Sequence, residues 1–133
     1  MDLFSRLKNM KILLIDDDEW IRDAMRIFFE TENCKIIALE TAEEALKILH
    51  QQNYDIVICD YKLPGLNGLT FLKEVRQSQS DALTIMITAY KTAPLVSEAK
   101  KIGIHGFIAN PFTSEPIEAV LSHIIAEQKY GSY

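Results

Sequence analysis

The sequence predicts an α/β fold in which a five-stranded parallel sheet is covered by helices on both faces. Two features predict it. Short apolar runs of strand length alternate along the chain with longer segments whose apolar residues recur at helical spacing. The short runs are also apolar without alternation, as strands are when both their faces are buried, and such strands belong to parallel sheets joined by helical, right-handed crossovers. The 133 residues suit one domain, and 48% hydrophobic with 25% charged residues is ordinary globular composition.

The first strand is the run KILLI at 11–15, which ends abruptly on Asp16, Asp17 and Asp18. Ile21, Ala24, Met25 and Phe28 then recur at helical spacing, with Trp20 and Phe29 broadening the stripe, so a helix is expected from Asp18 to about residues 32–33. Acids at its start suit the positive end of the helix dipole. Residues 35–39 read as the second strand. Thr41 followed by Glu44 has the spacing of a capping box, and Ala42, Ala45, Leu46 and Leu49 mark the buried side of the second helix.

Residues 54–59 form the third strand, ending at Asp60, and Pro64, Gly65, Asn67 and Gly68 punctuate the loop beyond it. Leu69, Leu72 and Val75 line a third helix, and 83–87 is a fourth strand ending at Thr88. A fourth helix is expected over 91–101, with Pro94 tolerated in its first turn and Gly103 stopping it. Residues 104–109 are the fifth strand, interrupted in pattern by Gly106. Ile117, Val120, Leu121, Ile124 and Ile125 give the last helix its apolar stripe, with Pro116 in its first turn. Residues 1–10 are expected to be an N-terminal arm, either a short helix or an irregular lead-in, and 128–133 a C-terminal tail or the start of a linker.

A net charge of −5 argues against this domain gripping a nucleic-acid backbone, which calls for clustered Lys and Arg. No apolar run approaches the roughly 20 residues of a membrane span. Cys34 and Cys59 adjoin apolar strand-like segments, which suits buried free thiols and a reducing, cytoplasmic compartment.

In an open α/β sheet, ligands sit outside the C-terminal ends of the strands. There the sequence places Asp16 and Asp17 after the first strand, Asp60 after the third, Thr88 after the fourth and Asn110 after the fifth. Three carboxylates at one edge resist joint ionisation unless a hard cation joins them. Magnesium, which prefers oxygen ligands and commonly bridges one or two carboxylates to a phosphate, fits that requirement. Asp16 to Asp18 could alternatively serve only to cap a helix, but that leaves the matching Asp60 and Thr88 unexplained.

The segments KILLIDDDE, DIVICDYKLPGLNG, IMITAY and FIANPF, each at the end of the appropriate strand, closely resemble the receiver domain of bacterial response regulators over residues 11–127. The resemblance implies the doubly wound, flavodoxin-like strand order 2-1-3-4-5. It implies that Asp60 is a phosphoacceptor for a sensor histidine kinase or a histidine phosphotransfer protein. It further implies a Mg2+ site formed by Asp16, Asp17, Asp60 and the backbone carbonyl of Lys62. Thr88 matches the hydroxyl that turns inward to the new phosphate, and Ala89 the small position that leaves access to the acceptor. Phe107 matches the aromatic switch, Pro64 and Gly68 turn positions beyond the acceptor, and Asn110–Pro111 a cis prolyl step. Lys62 and Tyr90 match positions flanking the phosphoryl group. On the same grounds a face made by the fourth helix, fifth strand and fifth helix would receive partners or a second copy. Such a domain transfers a phosphoryl group to itself and is not an enzyme in the usual sense.

Two departures from the family pattern stand out. Asn110 replaces the usual lysine after the fifth strand, keeping a hydrogen-bond donor but no charge. Three ionised carboxylates with one divalent cation then leave the site at about −1, where lysine would bring it to about zero. Phe107 replaces the more common tyrosine and has no hydroxyl; a static packed ring is the plainer role for it, as an ordinary surface position is for His105. Two other functions remain compatible with the sequence. One is a pseudo-receiver that binds protein partners without phosphorylation, favoured by Asn110. The other is a flavodoxin-like cofactor domain, disfavoured by the acids and by the absence of a Gly-rich phosphate loop.

Overall fold

A computed structural model describes residues 2–89, 91–109 and 114–131. The strands are β1 (Ile12–Ile15), β2 (Ile36–Leu39), β3 (Ile56–Asp60), β4 (Leu83–Thr88) and β5 (Gly106–Ala109). The helices are α1 (Leu3–Leu7), α2 (Glu19–Thr31), α3 (Ala42–Gln51), α4 (Gly68–Ser78), α5 (Ala93–Ile102) and α6 (Ser114–Gly131). The strands pair in parallel in the order β2-β1-β3-β4-β5, as the family resemblance implied.

Alternation along each strand builds two apolar layers. Ile12 and Leu14 of β1 join Ile56 and Ile58 of β3 beneath α2 and α6, where Met25, Phe29 and Leu121 are fully buried. Leu13 and Ile15 join Val57 and Cys59 on the other face, beneath α3, α4 and α5, with Phe71, Leu72 and Ala99. Both faces of the central strands are therefore apolar because both are roofed. The edge strand β2 is only half covered, and Ile37 keeps 42% of its surface exposed. Cys34 and Cys59 are buried free thiols.

Local chemistry fixes the helix ends. Asp18, Thr41, Asn67 and Thr92 cap α2, α3, α4 and α5, each side chain accepting from a backbone N–H in the first turn. The capping box at Thr41 forms in modified shape. Its Oγ1 accepts from the Glu44 N–H at 3.2 Å, while the Glu44 carboxylate takes the threonine hydroxyl at 3.0 Å. Pro94 lies in the first turn of α5, and Gly103 closes that helix in the left-handed region at φ 94°.

Residues 3–7 are helical, and this short helix joins the core. Asp2 caps it, Leu7 is fully buried, and the Phe4 ring meets Phe28 edge-on at 5.8 Å.

One expectation fails. Trp20 does not extend the buried stripe of α2 but is 76% exposed. It lies about 100° around the helix axis from Ile21, on the flank that also carries the exposed Ile27, outside the arc that meets the sheet. Periodicity alone counted an apolar side chain that the sheet cannot reach.

Candidate functional site

The parallel register brings the acids together. Ile15 pairs with Cys59, and Asp60 pairs with Ile87. The residues immediately after β1 therefore stand beside the last residue of β3, at the C-terminal edge of the sheet. One carboxylate oxygen from each of Asp16, Asp17 and Asp60 lies within 4.8 Å of the others. Asp16 is fully buried, Asp60 half-buried and Asp17 exposed.

Asp16 is held tightly. Its N–H donates to the Leu39 carbonyl at 3.0 Å, and its carbonyl accepts from the Arg22 guanidinium at 2.8 Å. Its Oδ1 accepts from the Asp18 N–H at 2.9 Å, and Asp18 in turn caps α2 through the Trp20 N–H. Its Oδ2 is buried and has no hydrogen-bond partner among the described residues. A buried, unpaired carboxylate oxygen is costly, and burial disfavours its ionised form. Burial pushes the Asp16 carboxyl up to about 7; the Asp18 N–H opposes the rise, and the charges of Asp60, Asp17 and Asp18 add to it. Burial and then the Asp17 charge push Asp60 up to about 6, against the backbone N–H groups of Tyr61 and Lys62, which favour its ionised form.

This donor set fits a hard divalent cation. Three carboxylates converge, and a buried oxygen among them lacks a partner. A bound cation would satisfy that oxygen and offset the burial and like-charge costs that lift both pKa values.

The remaining expected site residues are placed as follows. Thr88 ends β4, the strand beside Asp60, and is buried, with 5% exposure. Ala89 follows it and is exposed. Lys62 is exposed two residues beyond Asp60. Phe107 on β5 is half-buried, and the Lys91 ammonium sits over its ring at 5.3 Å. Pro64 is exposed in the loop after β3. Gly68 opens α4 and is buried against β3. A Cβ there would run into the backbone carbonyl of Asp60 and lie 3.0 Å from Tyr61 Cα. Its φ is not left-handed, so it is the close approach that requires glycine. Tyr90, Asn110 and Pro111, with the cis peptide expected there, lie outside the described residues.

His105 is exposed, yet its Nδ1 accepts from the Thr84 N–H at 3.0 Å and so stands in for a backbone acceptor. Sequence reasoning missed Arg22, whose partner is a backbone carbonyl. The only available signal was a cation in the first turn of a helix, where the dipole disfavours it.

The model of the response regulator receiver domain family matches residues 12–122. Sporulation initiation phosphotransferase F of Bacillus subtilis is 30% identical over 111 residues, covering 84% of this chain and 90% of that protein. The hydrogenase transcriptional regulatory protein HoxA of Cupriavidus necator is 29% identical over 109 residues, which are 81% of this chain but only 22% of that protein. Among solved structures, a two-component response regulator from Clostridium difficile superposes with a TM-score of 0.83 at 22% identity, over 90% of this chain and 98% of that one; it supports the fold. Together with the observed strand order and the acid cluster at its C-terminal edge, these matches establish that the chain belongs to the response regulator receiver domain family.

Proposed function

We propose that the acid-lined edge is the phosphoacceptor site of a phosphorelay, with Asp60 as the acceptor. The convergence of Asp16, Asp17 and Asp60 around an unpartnered buried oxygen supports this reading most directly. The ionised Asp60 carboxylate attacks the phosphorus of a phosphohistidine on a sensor kinase or phosphotransfer protein. The P–N bond breaks, its electron pair goes to the imidazole, and an aspartyl phosphate forms. Magnesium, when bound, offsets the charge on the transferring group. Asp16 and Asp17 would hold it together with Asp60 and the Lys62 carbonyl. The Tyr61 and Lys62 N–H groups favour the ionised nucleophile.

Thr88, buried at the end of the neighbouring strand, is the hydroxyl best placed to meet a phosphoryl group, and exposed Ala89 leaves the approach open. Phe107 and the α5–β5–α6 face would carry the resulting change to a partner or a second copy. Residues 11–127 would form the signalling domain, with 1–10 as an arm and 128–133 as a tail, working in the cytoplasm. Among the described residues no helix is long and apolar enough to cross a membrane.

The test is a small-molecule phosphodonor with Mg2+, followed by intact-mass measurement. The wild-type chain is expected to gain one phosphoryl group and Asp60→Ala none. A wild-type chain that never gains it would refute the proposal and leave a phosphorylation-independent binding module.

Asn110 yields a further expected result. Asn110→Lys restores the positive charge and should prolong retention of the phosphoryl group several-fold, read as the decay of the phosphorylated mass. Equal yield and equal decay in the two proteins would show that position 110 does not limit the reaction.

A further inference from the structure

We infer that Arg22 is a positioning residue of the acid cluster: by clamping the Asp16 carbonyl it fixes the peptide plane that joins Asp16 to Asp17, and so sets how the two carboxylates face a shared cation. This role rests on the cation reading of the cluster.

Arg22 is the fourth residue of α2, and its side chain is half-buried. Its backbone N–H bonds the Asp18 carbonyl at 3.1 Å, as a first-turn residue should. Its guanidinium reaches back across the loop to the Asp16 carbonyl at 2.8 Å. A cation in the first turn of a helix opposes the macrodipole, so this placement is not explained by helix stability. The clamp explains it. A peptide group is planar, so holding the Asp16 oxygen also fixes the direction of the Asp17 N–H and the start of its Cα bonds.

The other ties at Asp16 act elsewhere. Leu39 holds its N–H, and the Asp18 N–H holds Oδ1. Among the described residues only Arg22 holds the carbonyl side, the side that leads to the second acid. With it in place, Asp16 keeps one buried oxygen without a partner, next to Asp17 and Asp60.

Charge and geometry predict opposite signs here. A guanidinium beside a cation site repels the cation, so if Arg22 acted through its charge alone, its removal would tighten Mg2+ binding. If it acts as a clamp, removal loosens binding, and residues that orient metal ligands typically carry about 10- to 100-fold in affinity.

The experiment titrates the whole chain with Mg2+, following Trp20 fluorescence and calorimetric heat in parallel, for wild type, Arg22→Met and Arg22→Lys. Trp20 is the only tryptophan, is exposed, and lies two residues from the capping Asp18. Melting of each metal-free protein is recorded alongside. The clamp predicts roughly tenfold weaker binding for Arg22→Met, recovery of most of that loss by Arg22→Lys, which can still donate to the carbonyl, and metal-free melting temperatures that do not follow the affinities. Unchanged or tighter binding in Arg22→Met overturns the inference. So does a loss of affinity that merely tracks a loss of stability and that lysine does not rescue. Should Arg22→Met fail to fold, Arg22→Ala, which likewise cannot donate to the carbonyl, replaces it under the same criteria. A wild-type chain that shows neither heat nor fluorescence change with Mg2+ defeats the cation reading itself, and the role of Arg22 falls with it.

Discussion

Gly68→Ala is expected to destabilise the chain by about 3 kcal/mol and to abolish Mg2+ binding, although it adds only one methyl group and alters none of the three acids. Gly68 begins α4 with its N–H on the Tyr61 carbonyl at 2.9 Å, directly behind β3. A Cβ there would overlap the Asp60 backbone oxygen and sit 2.9 Å from the Asp60 carbonyl carbon. These are main-chain atoms of β3, paired to β4 through Asp60 and Ile87, so no side chain can swing aside to make room. Either α4 lifts, exposing Phe71 and Leu72, or β3 shifts and carries Asp60 with it. Denaturant unfolding with a Mg2+ titration decides the matter. A variant within about 0.5 kcal/mol of wild type, a change typical of neutral surface positions, and with normal metal affinity would mean that the two elements are not held against each other.

Much of this arrangement is legible in the residues, and the parts that are not share a physical cause. Strands that end on acids are readable because burial demands continuous apolar runs and the chemistry demands polar groups beyond them; hence Asp16, Asp17, Asp60 and Thr88 could be placed at one edge before any coordinates. Their convergence within 4.8 Å depends on the strand order, which the residues alone did not supply and the family resemblance did. The Thr41 cap was readable because Glu44 three residues on completes a local pattern, whereas Asn67 read only as loop punctuation and Thr92 gave no signal. What escaped involves main-chain partners or direction. Gly68 read as a turn position, but its φ is not left-handed and the requirement is a neighbouring carbonyl. Arg22 and His105 bond backbone groups of residues 16 and 84, and a backbone group leaves no mark in sequence. Trp20 fits the helical period but points past the edge of the sheet.

The metal-free chain should lose stability as pH rises from about 4 to about 7, the reverse of ordinary acid denaturation, and Mg2+ should cancel the loss. An acid whose folded-state pKa is raised keeps its proton in the folded chain after the unfolded chain has lost it. Asp16 moves from 3.8 to about 7, so its penalty is absent below 3.8, grows through the interval and is complete above 7. Asp60 acts with the same sign up to about 6. Exposed Asp2 has a lowered pKa, chiefly through the Ser5 N–H, so it acts with the opposite sign, but only below 3.8. His105, whose pKa burial lowers, also acts with the opposite sign below 6.5, and the Asp16→Asn comparison cancels it because both proteins share it. For fully buried Asp16 alone the penalty at pH 8 is on the order of 2–4 kcal/mol, the lower end applying because its rise is shared with Asp60. Asp16→Asn removes it. The amide keeps an oxygen for the Asp18 N–H and turns an NH2 towards the Asp17 and Asp60 carboxylates. That variant should therefore be more stable than wild type at pH 8 without metal, ahead by a clearly smaller margin at pH 5, and much less responsive to Mg2+. Magnesium should stabilise the wild type at pH 8, where the acids are ionised, and do little at pH 5, where Asp16 holds its proton. Denaturation series at the two pH values, with and without the ion, measure all of these differences. A wild type whose stability is flat over this range, or an Asp16→Asn variant weaker than wild type at pH 8 without metal, would mean that the buried carboxyl is compensated by something other than a cation. The cluster would then be a structural knot rather than a site held ready at the expense of stability.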